Sequence, residues 1–146
     1  MKLHVMAAIA ALTALGGCST LDKREQVVKA PTVCADQTVQ VYFDADSAEL
    51  TPDGKKVLEA AVGALRGCKV PSVEVLGLAD AVGAPQVNLE LSRRRSEAVF
   101  HALTAAGLPA AEFKLGAAGQ AGSVTADGQV APVRRRVDVT LHATCP

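Results

Sequence analysis

One arginine lies on the apolar face of a predicted helix. The stretch at residues 77–95 reads GLADAVGAPQVNLELSRRR, a turn followed by helix-forming residues. Arg95 comes four residues after Leu91 and four before Val99, so it shares the apolar stripe of that helix. A buried guanidinium is costly unless an acceptor pairs with it, and Asp80 in the preceding turn is a candidate partner.

The last predicted strand contains a second inward-facing arginine. Val137, Val139 and Leu141 alternate with polar residues, and Arg135 is in phase with these three. Two arginines and one or two aspartates therefore converge on one edge of the domain. The pattern leaves two interpretations open: a buried ion network, or a site for a zwitterion. In the second, the ligand's carboxylate would bind the arginines and its ammonium would bind the aspartate.

The elements that position these residues follow from hydrophobic periodicity, which predicts the order β-α-β-α-β-β. Two helices cannot cover both faces of a four-stranded sheet. We therefore expect an α+β two-layer sandwich, with a mixed four-stranded sheet and both helices on one face. Ligands tend to bind beyond the carboxyl ends of strands, where the loops contain Asp44 and Asp80. The predicted segments are a strand at 38–43, a helix from Thr51 to Gly67, a strand at 73–76, a helix from about Asn88 to Ala106, a strand around 113–115 and a strand at 136–141.

The first residues are typical of an export signal. A short basic start precedes an apolar run at residues 5–15, which is shorter than the roughly 20 residues that cross a bilayer. The segment then ends in Leu-Gly-Gly-Cys, which resembles a lipobox. We expect cleavage of residues 1–17, a lipidated Cys18 with a tether over 18–36, and one domain at 37–146. An ordinary secretory signal with an incidental cysteine is the alternative.

The other three cysteines lie near the ends of predicted strands. An exported compartment permits disulfides. If the first two strands are parallel, Cys34 and Cys68 lie at the same end of the sheet, which favours a bridge between them. A bridge between Cys68 and Cys145 is the second possibility, and three reduced thiols are the third. The chain has no CxxC motif, so we expect no metal site and no cofactor.

Charge and composition argue against nucleic acid as a partner. Lysine and arginine number 15, aspartate and glutamate also number 15, and the formal net charge is zero. No global charge therefore attracts nucleic acid or anionic lipid. Aromatic residues make up 3% of the chain, so it also lacks the stacking platforms that bind single strands.

Four segments occur in a specific order: VYFDADSAELTPDG, GLADAVG, NLELSRRRSEAV and RRRVDV. In this combination the chain resembles the peptidoglycan-binding OmpA-like domain, a family that includes Pal lipoproteins and the MotB stator domain. The resemblance covers about residues 37–142. It implies a non-enzymatic domain that binds the diaminopimelate of the peptidoglycan stem. A lipoprotein of this kind, lipid-anchored in the cell outer membrane and facing the periplasm, would tie that membrane to the cell wall.

The resemblance also implies the ligand-binding residues, by position in the motifs. They are Asp80 in the turn, Asn88 and Arg95 on the second helix, Arg135 before the last strand, and Asp44 after the first strand. Three departures from the family pattern predict weaker binding rather than another fold. Leu78 replaces a usual histidine, Val82 replaces a polar residue, and Arg134 replaces an asparagine.

Two other functions compete with a cell-wall anchor. The first is an envelope adaptor that kept the fold and binds protein partners, for which Leu78 and Val82 would supply apolar contacts. The second is a wall-cleaving enzyme that uses Asp44 and Asp80 as a carboxylate pair. No Ser/His/Asp, Cys/His or metal-binding spacing accompanies that pair, so we expect no enzymatic activity.

Overall fold

The computed structural model describes residues 33–108, 112–124, 126–129 and 134–146. The expected signal segment, Cys18 as the expected lipidation site and most of the expected tether lie outside the described residues. Within the described ranges, neither helix is long and apolar enough to span a membrane.

Six elements follow one another in the predicted order β-α-β-α-β-β, which confirms the fold class. The sheet has the strand order β1-β4-β2-β3, in which β4 is antiparallel to both of its neighbours and β2 is parallel to β3. Helix α1 packs against β1 and α2, and α2 also packs against β2, β3 and β4. The elements are β1 (Gln37–Tyr42), α1 (Pro52–Ala64), β2 (Lys69–Gly77), α2 (Pro85–Ala105), β3 (Glu112–Ala117) and β4 (Arg136–Thr144).

The core lies between the two helices and the helix-facing side of the sheet. Val137, Val139 and Leu141 of β4 are fully buried, whereas the alternate residues of that strand are half-exposed. Val137 faces Val41 across β1, and Val139 faces Val75 across β2. Each such side chain contributes about 1.5–3 kcal/mol on burial. The strict alternation keeps Arg135, just before β4, on the same side as these valines.

The helix starts illustrate what local sequence signals reveal. Thr51 caps α1 as predicted, because its Oγ1 accepts a hydrogen bond from the Gly54 N–H at 3.0 Å. Helix α2 begins at Pro85, three residues before the predicted start at Asn88. Its N-cap, Ala84, has no side-chain acceptor, so the usual polar signal is missing from the sequence.

A disulfide joins Cys34 to Cys68, with Cα atoms 5.6 Å apart, and Cys145 is a free, exposed cysteine. This is the pairing that the sequence favoured. Strands β1 and β2 do run parallel, separated by β4. A disulfide that closes a loop of this length stabilises a small domain by about 2–4 kcal/mol.

Candidate functional site

A cavity of about 180 Å³ opens where β1 and β2 end and β4 begins. The antiparallel pairing of β4 brings these three ends to the same edge of the sheet. Acidic, basic and apolar side chains share its wall, so it suits a ligand that carries both charges. The lining residues are Ala45, Asp46, Asp80, Val82, Asn88, Leu91, Arg95 and Arg135.

Arg95 is fully buried on α2, as helical phase predicted, but its acceptors are backbone carbonyls. Its Nε donates to Ser47 O at 2.8 Å, Nη1 to Leu78 O at 3.1 Å and Nη2 to Asp44 O at 3.0 Å. The predicted pairing of Arg95 with Asp80 is therefore wrong. The reason is geometric: the loops after β1 and β2 bring three carbonyls within reach of the guanidinium.

Burial and neighbouring charges act in opposite directions on Arg95. Removal from water lowers the pKa of its guanidinium below the ordinary value, and the nearby Arg135 adds to this effect. The carboxylates of Asp80 and Asp46 raise the pKa of Arg95 and partly offset burial. Phe43 contributes a cation–π contact, with the guanidinium carbon 5.3 Å from the ring centroid.

Asp80 pairs instead with Arg135. The Oδ2 atom of Asp80 lies 3.4 Å from Nε of Arg135, and both side chains are partly exposed. Among the described residues, neither the Oδ1 atom of Asp80 nor the Nε of Arg135 has a hydrogen-bond partner, although solvent hardly reaches either atom. A carboxylate oxygen and a guanidinium nitrogen are therefore left with hydrogen-bonding capacity at the same cavity.

Asn88 holds the turn that carries Asp80. Its Nδ2 donates to Asp80 O at 3.0 Å, to Val82 O at 2.9 Å and to Gln120 Oε1 at 2.9 Å. An amide nitrogen has only two hydrogens, so these three acceptors share them. Three acceptors around Nδ2 also fix the orientation of the amide. The side chain lies at the cavity as predicted, but its hydrogen bonds within the protein act as a clamp, because they hold the Asp80 turn to α2.

Asp44 does not occupy the cavity position predicted for it, and Asp46 does. Asp44 contributes its carbonyl to Arg95, and its side chain does not line the cavity. Asp46 lines the cavity and has a φ of 52°, the left-handed conformation that aspartate tolerates better than most residues. The structure does not bring Asp44 and Asp80 together as a carboxylate pair in this cavity. The prediction named Asp44 from its motif position, because nothing in the residue pattern indicates which carboxylate of this loop turns inward.

Two of the noted departures have different structural meanings. Leu78 is buried, and its backbone N–H donates to Arg136 O at 2.9 Å while its carbonyl accepts from Arg95. Leu78 therefore does not line the cavity, and it does not present the apolar contact that was expected of it in an envelope adaptor. Val82 does line the cavity, with 78% of its surface exposed.

A close helix–strand approach sets the positions of Asn88 and Arg95. A Cβ on Gly77, the last residue of β2, would lie 2.0 Å from Ser92 O. Only glycine therefore allows α2 to pack this near to the end of β2. The hydroxyl of Ser92 also accepts from the Gly119 N–H at 3.0 Å, which joins the loop of Gln120 to the same helix.

A protein-family model described as the OmpA family matches residues 42–136. The chain belongs to the OmpA family. The matched region contains every lining residue of the cavity, from the loop after β1 to the arginine before β4.

Two proteins with sequences similar to this chain are longer than it is. Outer membrane protein A of Yersinia pseudotuberculosis is 39% identical over 87 residues, or 58% of this chain, and the match spans 25% of that protein. Probable lipoprotein YiaD of Escherichia coli is 32% identical over 105 residues, or 69% of this chain, and the match spans 47% of it. The chain thus spans half or less of these relatives.

Solved structures share the fold of this OmpA family domain. The peptidoglycan-associated lipoprotein from Burkholderia pseudomallei superposes with a TM-score of 0.56 and 24% identity, covering 72% of this chain and 89% of that one. The cell wall anchor of the T6SS from Pseudomonas aeruginosa superposes with a TM-score of 0.56 and 25% sequence identity. The match covers 75% of this chain and 82% of that one. The OmpA-like domain of FopA1 from Francisella tularensis superposes with a TM-score of 0.58 and 21% sequence identity. The match covers 75% of this chain and 76% of that one.

Proposed function

We propose that this OmpA family domain binds peptidoglycan without covalent chemistry, through the zwitterionic end of diaminopimelate in the peptide stem. The observation that carries the proposal is the pair formed by Asp80 and Arg135 at the cavity. The unpartnered Oδ1 of Asp80 would accept from the ligand's ammonium, and Arg135 would donate to its carboxylate. The side-chain end of diaminopimelate has both groups on one carbon.

Arg95 would add donors to the carboxylate subsite. A guanidinium has five N–H groups, and three of those of Arg95 bond to carbonyls. The remaining two N–H groups would donate to the ligand, since Arg95 also lines the cavity. Because the carbonyls hold the guanidinium still, little entropy is lost when a ligand binds. Asn88 would act by holding the Asp80 turn, and its Oδ1 would be a second acceptor for the ammonium.

The expected affinity for a single ligand is modest. Each charge-assisted hydrogen bond contributes about 1.5–3 kcal/mol, and binding costs several kcal/mol in lost translation and rotation. Val82 adds a further reduction, since it presents an apolar side chain where the family pattern has a polar one. Avidity would compensate, because peptidoglycan repeats the ligand and many anchored copies face it.

The membrane side of the proposed anchor rests on the sequence. We propose that Cys18 is lipidated and places the domain in the periplasm at the outer membrane. The relative from Escherichia coli is described as a probable lipoprotein, and the Burkholderia structure as a peptidoglycan-associated lipoprotein. Both descriptions support this placement. The domain would thus tie the outer membrane to the cell wall without catalysing a reaction.

Calorimetric titration of the purified protein with meso-diaminopimelate tests the proposal. Asp80→Asn and Arg135→Gln should each weaken binding by about tenfold or more, the equivalent of losing one charge-assisted bond. Asp53→Asn is the matched control, since Asp53 is an exposed carboxylate on α1 that pairs only with Lys56 among the described residues. Sedimentation with isolated sacculi should give the same order. Unchanged binding in both cavity variants would refute the mechanism.

The envelope adaptor is a second candidate because of apolar exposure beside the cavity. Val82 lines the rim, and Val87 at the start of α2 is also largely exposed. Exposed apolar side chains of this kind are more typical of a protein-binding surface than of a site for a charged amino acid. Crosslinking in intact cells separates the two functions. One stoichiometric protein partner, together with no retention on sacculi, would favour the adaptor.

A further inference from the structure

Three cysteines lie near the end of the sheet that is opposite the cavity. The disulfide between Cys34 and Cys68 sits where β2 begins, and Cys145 follows the end of β4. Strands β2 and β4 are antiparallel, and their last pair joins Lys69 to Thr144. Cys68 and Cys145 are the next residues of the two chain segments beyond this pair.

Strand alternation, continued by one residue, would put both cysteines on the same face of the sheet. Cys145 is two residues after the buried Ala143, and Cys68 is two residues before the buried Val70. Directly opposite residues of antiparallel strands have Cα atoms about 4.5–5.5 Å apart, which falls within the range for a disulfide. Continuation of the pairing by one residue would therefore bring the exposed thiol of Cys145 next to a disulfide sulfur.

We propose that Cys145 is a resolving thiol that exchanges with the Cys34–Cys68 disulfide. Its thiolate attacks the Sγ of Cys68, a new bond forms between Cys68 and Cys145, and the bond to Cys34 breaks. The electron pair of the broken bond leaves with Cys34 as a thiolate, which takes up the proton that Cys145 released. The number of disulfides and thiols is unchanged, so the step needs no external oxidant or reductant.

The two pairings are close in free energy by the loop-closure argument. The bridge between Cys68 and Cys145 closes a longer loop of the unfolded chain than the bridge between Cys34 and Cys68. The difference grows only with the logarithm of length. The new bridge also joins β2 and β4, which are already hydrogen-bonded neighbours. Both forms should therefore be populated at equilibrium.

The exchange changes how the segment before β1 is attached to the domain. In the Cys34–Cys68 form this segment is covalently fixed to the start of β2. After exchange, Asp36 holds it by two hydrogen bonds: Ala143 N–H to Oδ1 at 2.9 Å, and Oδ2 with His142 Nδ1 at 2.8 Å. Noncovalent attachment lets the preceding chain detach and re-attach, so the thiol controls the effective reach of whatever precedes the domain.

Peptide mapping under non-reducing conditions tests the exchange. Trypsin cleaves after lysine and arginine, which places Cys34 in residues 30–55, Cys68 in 67–69, Cys145 in 137–146 and Cys18 in a fourth peptide. The full chain is purified without reductant and incubated at mildly alkaline pH. Free thiols are then blocked with N-ethylmaleimide in denaturant before digestion. We expect the peptide pair 67–69 with 137–146 at an abundance within about tenfold of the original pair.

The controls keep the inference falsifiable. An equal amount of N-ethylmaleimide-labelled Cys34 should accompany the new bridge, independently of protein concentration, and Cys145→Ser should abolish both signals. A fully labelled Cys145 with Cys34–Cys68 as the sole bridge would overturn the proposal. So would a Cys145–Cys145 crosslink that grows with concentration. A second variant, Cys34→Ser treated with oxidised glutathione, tests the geometry alone. An intramolecular Cys68–Cys145 bridge is expected, and mixed glutathione adducts on both cysteines without that bridge would refute it.

Discussion

Arg95 on α2 donates from Nε to the carbonyl oxygen of Ser47 at 2.8 Å, although 48 residues separate the two in the chain. The same guanidinium also bonds to Asp44 and Leu78. One side chain thus joins the loop after β1 to the loop after β2. The charge-assisted bonds offset the cost of burying the cation, so Arg95 is a structural member of the fold as well as a wall of the cavity.

The first prediction follows from this double role. We expect Arg95→Lys to lower the free energy of unfolding by about 3 kcal/mol, because one ammonium cannot reproduce the three-way contact of the fork. Carbonyls that remain without a donor cost about 1–3 kcal/mol each. Urea unfolding followed by circular dichroism measures the change. Arg94→Lys, on the exposed neighbour, is the control and should be nearly neutral. Equal stability of the two variants would contradict the structural role.

A substitution at Asn88 tests whether this side chain holds the Asp80 turn in place or only contacts the ligand. Asn88→Asp replaces the donor amide by a carboxylate that faces three oxygen atoms, those of Asp80, Val82 and Gln120. We expect a loss of about 1–3 kcal/mol in unfolding free energy, in addition to weaker ligand binding. Thermal unfolding without ligand provides the measurement. A residue that only touches ligand would leave this stability unchanged, and such a result would refute the clamp.

Gly77 and Gly63 should respond in opposite directions to the same substitution. Gly77→Ala would force a Cβ to within 2.0 Å of Ser92 O, so α2 must move away from β2. We expect a cost of about 3 kcal/mol and reduced binding at the cavity. Gly63→Ala, in α1, meets no atom within 4 Å and should stabilise by about 0.5 kcal/mol. Denaturant unfolding of both variants tests the sign, and a tolerated Gly77→Ala would contradict the close approach.

Asp36 should contribute to the loss of stability in acid. The hydrogen bond from Ala143 N–H, and then the one with His142, hold the pKa of Asp36 below its ordinary value of 3.8. A carboxylate whose pKa is lower in the folded state stabilises the fold above pH 3.8, and this contribution disappears as the pH falls through the folded pKa. Asp36→Asn should therefore flatten the pH dependence of unfolding in acid, as the pH falls through and below 3.8. Asp53→Asn is the exposed control, and identical profiles for Asp36→Asn and wild type would refute the contribution.

Periodicity predicted much of this structure because burial of one face has a repeat that the sequence displays. Helical phase placed Arg95 alone of three consecutive arginines inside, and strand alternation placed Arg135 at the cavity. The order of elements and the two-layer fold followed from the same reasoning. The ligand roles of these residues stay predictions.

What the sequence could not indicate depends on contacts between distant loops. Arg95 was expected to pair with Asp80, but it binds carbonyls, and backbone groups are present at every position of a sequence. Asp46 rather than Asp44 lines the cavity because of one left-handed residue. Gln120, which accepts from Asn88 across 32 residues, gave no signal in its Gly-rich surroundings.

The central place of β4 in the sheet has a consequence for how the domain is made. Strands β1 and β2 do not pair with each other, and each pairs with β4, which is the last of the six described elements. During synthesis, the first two strands therefore remain without this neighbour until residues 136–144 have been made. The domain should assemble in one late, cooperative step, and a chain that stops short of β4 would remain exposed to proteases.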